Sequence, residues 1–428
     1  GPQLEDECSY FPPPPGWCQP DAGNGLCDPA VNTTGFCSPA GRIVGNDPGD
    51  TSIPVAPSFA GDWVDFVESR VGPSGNGGVR YFALDNEPML WNSTHADVHP
   101  AAPTYDEVWT KGRDVAAVVK QRDATARVLG PDTWGWCDLW TSAADAGGDC
   151  TDGPDRQAHG GVPFVQWYLG QVCDYQTQNG VRLVDLVDVH YYPQSGEAFG
   201  GEEYASIRLR SIRELDDPTY VSESWIGANV RLIPRLRDWI GAACPGTGIA
   251  ITEYSWGADD APSGALAQAE VLAIFGRERV DLATRWVVPA SGSRTEEAFR
   301  LYLDYDGAGS RVHGDSVRAI SSERDAVGAY AVLGSASELY LLLFNKDTVE
   351  RDVDVSFAAG VIGPAEVYRF TATQVLGPAG TLPVSGNGIA ATLPPRSATL
   401  AVLAMTGNLI FADRFESGST GAWSSTQP

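Results

Sequence analysis

Short apolar runs alternate with longer helical segments over residues 59–288, and this alternation constrains the fold more than any other feature of the chain. The runs have the length of buried strands, and the segments between them have the length and apolar spacing of helices. Predicted strands end near Leu84, Gly130, His190, Glu253 and Val288. Predicted helices occupy 59–71, 104–122, 163–178, 232–243 and 265–279. Strands separated by helices indicate a parallel sheet, so we predict an α/β fold of the (β/α)8 TIM-barrel type.

From about residue 298 the pattern changes to short strand-like runs divided by Gly, Pro and Asp turns. These runs are 299–305, 337–345, 353–357, 365–371 and 397–403. Many short strands with turns between them are typical of a β-sandwich. We therefore predict a barrel domain over 1–297, in which 1–60 form a Cys-rich loop region, then a sandwich domain over 298–404 and a flexible tail over 405–428.

The eight cysteines fall into two groups of four. The first group lies in a stretch rich in Pro, Gly, Asn and Asp with little apolar periodicity, at Cys8, Cys18, Cys27 and Cys37. Such a stretch cannot pack a core of its own, so disulfides are the favoured interpretation. A zinc site is the alternative, but the spacing contains no C-x-x-C pair.

The second group consists of Cys137, Cys150, Cys173 and Cys244. The short loop between the first two favours a Cys137–Cys150 disulfide, which leaves Cys173 and Cys244 as the remaining pair. Because disulfides persist in oxidising compartments, the sequence predicts a secreted protein, with the periplasm as the alternative.

The chain carries a formal net charge of −26, from 55 acidic and 29 basic residues. A surface this acidic repels nucleic acid and anionic membranes, so neither is an expected partner. No apolar run approaches the roughly 20 residues that a membrane-spanning helix needs. The charge is compatible with a neutral substrate such as an uncharged polysaccharide, and we expect the chain to act as a monomer.

Two glutamates end strand-like runs in similar surroundings. Glu87 follows the run 79–84, and Glu253 closes the run that begins at Ile249. Carboxylates at the C-terminal ends of barrel strands face the cleft formed by the βα loops. Two of them could supply the acid and the nucleophile that cleave a glycosidic bond. The structural alternative is that both accept backbone hydrogen bonds and tie down loops.

The residues beside the two glutamates indicate a role for each. Asn86 can bind a sugar hydroxyl while Glu87 reaches the leaving oxygen, so we predict Glu87 as the general acid/base. Glu253 is then the nucleophile and needs a donor that keeps it ionised. The nearby candidates for that donor are Tyr191, Tyr192 and Tyr254. A retaining mechanism predicts carboxyl groups about 5 to 5.5 Å apart.

Aromatic residues after the strands are candidates for stacking on sugar rings, because an indole packs on the apolar face of a pyranose while its N–H binds a hydroxyl. The tryptophans in this group are Trp91, Trp134, Trp136, Trp140, Trp225, Trp256 and, on a strand, Trp286. Further substrate contacts are predicted for Asn86, His190, Tyr191 and Tyr254. Ordinary core packing is the alternative for each tryptophan and for His190.

No cofactor signal stands out in the sequence. His95 and His99 are four residues apart, as in a helical metal pair, but no H-E-x-x-H motif accompanies them. Motifs for phosphate binding, dinucleotide binding or a nucleophilic serine are not visible either. We expect catalysis without a cofactor. A structural calcium in an Asp-rich loop stays open, because the sequence does not place it.

Several stretches together resemble glycoside hydrolase family 44. They are Leu84-Asp85-Asn86-Glu87-Pro88, Asp217-Pro218-Thr219-Tyr220, Glu223-Ser224-Trp225, Ile251-Thr252-Glu253-Tyr254 and the helix 268–278, within a likeness that extends over about 60–404. The resemblance implies a retaining endo-β-1,4-glucanase with a barrel and a sandwich, often active on xyloglucan, carboxymethylcellulose or mixed-linkage glucan and sometimes on xylan. Carried over by position, it makes Glu87 the acid/base and Glu253 the nucleophile.

The chain departs from the family at its start. Five barrel strands are predicted where a TIM barrel has eight, and the family's first barrel strands have no counterpart before the first predicted helix. Either the chain is a fragment of a longer protein or the missing part is supplied separately. The absent strands favour an alternative function, a non-catalytic carbohydrate-binding protein that keeps the aromatic groove.

Overall fold

The computed structural model describes residues 52–95, 98–145, 150–334, 338–358 and 360–405, together with two short strands near the start. These strands, β1 (Leu26–Cys27) and β2 (Ile43–Val44), pair antiparallel. The side chains of the first four cysteines lie outside the described residues, and so does the predicted tail after residue 405.

The described residues form two compact units, and each unit is assembled from several separate segments of the chain. Unit 1 contains Gly1–Tyr192, Ile233–Tyr254 and Val280–Trp286, and unit 2 contains Pro193–Leu232, Ser255–Arg279 and Val287–Pro428. The domain boundary at 297/298 stays a prediction.

A five-stranded parallel sheet forms the centre of unit 1, with its strands in chain order. They are β3 (Tyr81–Ala83), β4 (Arg127–Thr133), β5 (Leu186–Tyr191), β6 (Gly248–Tyr254) and β7 (Leu282–Arg285). The five predicted strands are thereby confirmed. The middle of the sheet is apolar, and Leu129, Leu186 and Ala250 pack together across β4, β5 and β6.

The helices occupy the intervals between the strands and continue into unit 2. They are α1 (Ser58–Val71), α2 (Trp91–Thr94), α3 (Tyr105–Arg122), α4 (Pro154–Ala158), α5 (Phe164–Asn179), α6 (Ala205–Ser211), α7 (Leu232–Ala243), α8 (Pro262–Arg277) and α9 (Arg294–Leu303). Helix α3 begins where its sequence places a cap, because the Thr104 hydroxyl accepts a hydrogen bond from the Glu107 backbone N–H. The five predicted helices are confirmed to within three residues at each end.

Unit 2 contains antiparallel sheets. A six-stranded sheet has the order β13-β12-β15-β10-β9-β8, and β11 pairs with β14. The bounds are β8 (Asp315–Val317), β9 (Val327–Leu333), β10 (Glu338–Asn345), β11 (Arg351–Ser356), β12 (Val361–Phe370), β13 (Gly377–Leu382), β14 (Gly388–Leu393) and β15 (Ser397–Met405). Their inward residues form one apolar cluster that includes Leu341, Leu393 and Leu403. A parallel sheet and separate antiparallel sheets fit a TIM barrel with a β-sandwich.

One predicted strand is wrong. Residues 299–305 fall mostly within helix α9, not in a strand. The Ser293 hydroxyl accepts a hydrogen bond from the Glu296 backbone N–H and caps this helix, and Ala298 and Leu301 bury one face at helical spacing. The missed signal is the capping sequence just before the predicted strand.

Within the described part of unit 1, two disulfides cross-link the chain. Cys137 pairs with Cys150, as the short loop predicts, and Cys173 of α5 pairs with Cys244, just after α7. Both pairings are therefore confirmed. In the described part of the chain, the helices are too short or too polar to span a membrane.

Candidate active site

Glu87 lies in a tight turn after β3. The turn uses positive backbone φ angles at Asp85 (77°) and at Glu87 itself (49°). Pro88 then begins a 3-10 turn that ends at Leu90. The Glu87 backbone N–H donates to the Asp132 carbonyl at 3.1 Å, which fastens the turn to the C-terminal end of β4. The turn places the Glu87 carboxyl at the edge where the parallel strands end.

Glu253 lies on β6 and owes its position to a break in the strand register. Asp188 of β5 pairs with Ala250, but His190, two residues later, pairs with Glu253, three residues later. The extra residue on β6 is a β-bulge. Because strand side chains alternate between faces, a one-residue bulge changes which residues share a face. The bulge thus sets Glu253 opposite His190.

The two glutamates meet around His190. Its Nδ1 atom is 2.8 Å from Glu87 Oε1 and 3.5 Å from Glu253 Oε2. The Tyr192 hydroxyl donates to Glu253 Oε2 at 2.9 Å. One carboxylate oxygen from each glutamate and a ring nitrogen of His190 all lie within 4.8 Å of one another. The structure therefore brings the two predicted carboxyls together at one edge of the sheet.

Burial and charge define the state of the groups around this cluster. The side chains of His190, Glu87 and Glu253 are 3%, 19% and 15% exposed, so the histidine is enclosed while both carboxyls reach solvent. Burial and the Glu253 carboxylate raise the pKa of Tyr192 above its usual range. Tyr192 therefore keeps its proton and remains a donor to Glu253 near neutral pH.

A buried acid lies near Glu87 on the loop after β4. Burial first, and then the charge of Glu87, raise the pKa of Asp138 well above its usual range, although a backbone hydrogen bond from Trp134 opposes this. That bond runs from the Trp134 N–H to Asp138 Oδ2 at 3.3 Å. Asp138 thus fixes the loop that carries Trp134.

The predicted aromatic contacts divide by exposure. Trp134, after β4, is 37% exposed, and Trp286, after β7, is more exposed still. Trp91 is half-buried, its indole N–H donates to Asp85 at 2.7 Å, and Lys111 lies over its ring. Asn86 is exposed beside Glu87. Trp134, Trp286 and Asn86 therefore have surface open to a ligand.

Other predicted contacts are enclosed. Trp136 packs edge-on against Trp140 and beneath the Arg235 guanidinium. Tyr191 and Tyr254 are almost fully buried, because each directly neighbours a residue of the carboxyl cluster on its strand and so points to the opposite face. In these positions they occupy core sites. Tyr192, two residues after His190, faces the cluster instead.

Two predicted tryptophans belong to unit 2. Trp225 is exposed, in the segment after α6. Trp256 is buried, and its indole N–H donates to Ser211 Oγ at 3.0 Å. Trp256 therefore has the packing of a core residue in this unit.

The cluster of Glu87, His190 and Glu253 is also where a metal ion would find three donors, within the part of the chain that the structure describes. The hydrogen bonds that join these side chains to one another and to Tyr192 already account for the grouping. We assign no metal to it.

His99, one of the two histidines at the spacing of a helical metal pair, lies 2.7 Å from Glu107 through its Nε2 atom and so forms an ion pair with α3.

Three buried acids near the site escaped the sequence analysis. They are Asp132, Asp138 and Asp188. Asp132 and Asp188 interrupt apolar strands, and an acid within a buried strand was the available signal, because such a group needs a partner.

Comparisons with known proteins agree on one family. The sequence model of Glycoside hydrolase family 44 matches residues 12–195. Endoglucanase A of Paenibacillus lautus is 34% identical over 364 residues, which cover 79% of this chain and 50% of that protein. This chain thus spans about half the length of that relative.

Solved structures extend the likeness to the fold. CelM2, a bifunctional glucanase-xylanase protein from a metagenome library, is 38% identical with a TM-score of 0.81, over 85% of this chain and 72% of its own. A Paenibacillus polymyxa xyloglucanase from family 44, solved with xyloglucan, is 31% identical with a TM-score of 0.72, over 81% of this chain and 70% of its own. With such identity over most of both chains, this chain belongs to glycoside hydrolase family 44.

Proposed function

We propose that this protein is a retaining, endo-acting glycoside hydrolase that cleaves the β-1,4-linked backbone of glucans with Glu87 and Glu253. One observation carries the proposal. The two glutamates present oxygens within 4.8 Å of each other, and both lie near His190 Nδ1. Carboxyl groups about 5 to 5.5 Å apart suit a nucleophile and an acid, whereas an inverting pair needs roughly 6.5 to 9.5 Å to admit a water.

The first step forms a covalent intermediate. A Glu253 carboxylate oxygen attacks the anomeric carbon and the glycosidic C–O bond breaks. The electron pair of that bond goes to the leaving sugar oxygen, which takes the proton from Glu87. In the second step, water attacks the anomeric carbon and gives a proton to Glu87. The ester bond to Glu253 then breaks, which restores both carboxyls and the original configuration.

His190 and Tyr192 support this division of roles. Tyr192 donates to Glu253 Oε2 and stabilises the ionised form that attacks. His190, with its proton on Nδ1, can donate to Glu87 or Glu253, because both carboxylates lie within 3.5 Å of that atom. A donor shared by the two side chains holds both carboxyl groups close together in a fixed position.

The substrate class follows from the relatives and from the charge. The relatives are an endoglucanase, a glucanase-xylanase and a xyloglucanase solved with xyloglucan. We propose cellulose-type glucans and xyloglucan as substrates, with mixed-linkage glucan and xylan as further candidates. These polymers are neutral, which suits a chain with a net charge of −26. The two disulfides support action outside the cytoplasm, and no cofactor enters the reaction scheme.

Release of reducing ends tests the proposal. The protein is incubated with xyloglucan and with carboxymethylcellulose, and E253Q, which keeps the shape of the side chain, serves as the inactive control. We expect new reducing ends and a rapid fall in viscosity from the unaltered chain only. Binding to either polymer without release would favour a carbohydrate-binding protein instead.

A further inference from the structure

We propose that Asp132 and Asp188 are positioning residues, a buried acid pair that holds two β-bulges and thereby sets the separation of Glu87 and Glu253. This inference rests on the proposed function, since it concerns how those two glutamates are held. Neither acid touches the proposed reacting atoms. The pair therefore acts through the backbone of three adjacent strands.

Asp132 is the extra residue of a bulge between β4 and β5. Pro131 pairs with Asp188 and Thr133 with the next residue, Val189, so Asp132 has no partner in the ladder. Its φ angle is 55°, a conformation that favours glycine and that non-glycine residues adopt at a cost. Its carbonyl accepts the Glu87 N–H. The bulge at Asp132 thus sets where the turn that carries Glu87 is attached at the end of β4.

Asp188 holds the second bulge. Its Oδ1 accepts the Thr252 backbone N–H at 3.1 Å, and its Oδ2 accepts the Thr252 hydroxyl at 2.7 Å. Thr252 is one of two β6 residues that face the single β5 residue Val189, so its N–H lies where the regular ladder is broken. The next residue is Glu253. The Asp188 carboxylate therefore replaces the lost ladder bonds and fixes the point where Glu253 leaves the strand.

The two acids contact each other and complete a path between the glutamates. The Asp188 carboxyl acts directly on the Asp132 carboxyl, and both residues are almost completely buried. In the described part of the chain, no donor makes a hydrogen bond of normal geometry to either oxygen of the Asp132 carboxyl. A hydrogen bond between the two carboxyls would give the Asp132 carboxyl the partner it otherwise lacks, and it requires that one of the two carboxyls carries a proton. Burial, Asp188 and the more distant Asp85 all raise the pKa of Asp132 well above its usual range, so it supplies that proton.

The resulting path runs from the Glu87 N–H to the Asp132 carbonyl, through the acid pair, and on to Thr252 beside Glu253. It crosses β4, β5 and β6 at the two positions where backbone pairing is interrupted. Displacing a reacting group by about 1 Å can cost roughly 100-fold in rate. Loss of the side-chain contacts at these bulges should therefore lower kcat more than it raises KM.

Three variants of the full chain test the inference by kcat and KM on carboxymethylcellulose, with the folded fraction measured by circular dichroism. T252V keeps a β-branched strand residue and removes one bond to Asp188, and we expect kcat to fall roughly tenfold with KM nearly unchanged. D132L removes the proposed hydrogen bond between residue 132 and Asp188, and we expect kcat to fall roughly 100-fold. D132N keeps the link, because an amide N–H donates to Asp188 without needing a titratable proton, and we expect kcat within about threefold of the unaltered chain.

A control separates positioning from simple loss of stability. Asp123 is a buried acid of unit 1 that caps the turn after α3 through Ser74 and Thr125, with no bond to the carboxyl cluster. D123N should lower the melting temperature and leave kcat per folded molecule unchanged. Folded T252V with the kcat of the unaltered chain would overturn the inference, even if D132L fails to fold. An unaltered chain without activity would instead refute the proposed function.

Discussion

Tyr192 donates a 2.9 Å hydrogen bond to the Glu253 oxygen that also lies 3.5 Å from His190 Nδ1. One oxygen of the proposed nucleophile is thus held by His190 of β5 and by Tyr192, the residue that directly follows this strand. In the proposed mechanism, the other oxygen attacks the sugar. The two side chains are two residues apart in the chain, which is the spacing at which residues of an extended backbone face the same side.

Removing the Tyr192 hydroxyl should slow the reaction without changing the fold. Y192F loses one hydrogen bond to a charged group, which is worth about 1.5 to 3 kcal/mol, so we expect kcat to fall at least tenfold. KM and the melting temperature should change little, because the ring keeps its packing. Initial rates on xyloglucan measure the effect. Y191F, at the buried last residue of β5, is the matched control and should keep its kcat; equal losses in both variants would contradict the contact.

The acid role of Glu87 predicts a dependence on the leaving group. E87Q should lower kcat on a polymer by roughly 10² to 10⁴-fold, because the leaving sugar oxygen then departs without a proton. An aryl glycoside with an acidic phenol needs no such proton, so its first step should keep most of its rate. Release of the phenol in a pre-steady-state burst measures that step. Equal loss on both substrates would remove Glu87 from the acid role.

Exposure separates a ligand-binding tryptophan from a packing one. Trp134 is 37% exposed, whereas Trp136 is 6% exposed beneath Arg235. W134A should raise KM for long glucans several-fold and leave the melting temperature within about 1 °C, because stacking is worth on the order of 1 kcal/mol. W136A should lower the melting temperature by several degrees, since a buried tryptophan contributes about 3 to 5 kcal/mol. The opposite pattern would reverse the two assignments.

The Asp132 proton predicts how stability depends on pH. The pKa of Asp132 is raised in the folded chain and ordinary, about 3.9, in the unfolded chain, so the folded state binds the extra proton between those values. Stability from this group is present below about pH 4 and is lost as pH rises, by up to about 1.4 kcal/mol per pH unit. D132N has no titratable group at this position, so its stability should not fall with pH for this reason. Urea unfolding between pH 4 and 7 should therefore show the unaltered chain losing stability relative to D132N.

Asp123 provides a control of opposite sign. Burial opposes ionisation of this carboxyl, but hydrogen bonds from Ser74 and Thr125 outweigh it and hold the pKa of Asp123 well below its usual range. Its contribution is present above about pH 4 and disappears on acidification. The unaltered chain should therefore gain stability relative to D123N as pH rises. If both variants gave the same sign, the assigned proton on Asp132 would be wrong.

The periodicity of apolar residues predicted the parallel sheet and its helices well, because buried parallel strands are continuous apolar runs with helices between them. The run that ends at His190 and the run that ends at Glu253 therefore appear as neighbours in the sheet. The strand predicted at 299–305 failed for a local reason, since its apolar residues fit both repeats and the cap at Ser293 decided for a helix.

The candidate site was predictable only in part. A carboxylate after an apolar run is visible in a sequence, so Glu87 and Glu253 could be chosen. The face on which a side chain lies depends on bulges, and the bulges in β4 and β6 follow from long-range contacts of Asp132 and Asp188. For this reason the sequence alone does not distinguish Tyr191, Tyr192 and Tyr254 as donors to Glu253.

The left-handed backbone of Glu87 has an evolutionary consequence. A side chain at φ 49° and ψ 60° costs roughly 1 to 2 kcal/mol relative to glycine, which adopts this region freely. Selection for stability alone would therefore replace this glutamate with glycine or asparagine. A descendant that no longer carries out the proposed reaction should acquire glycine or asparagine at this position, and its melting temperature should rise as a result.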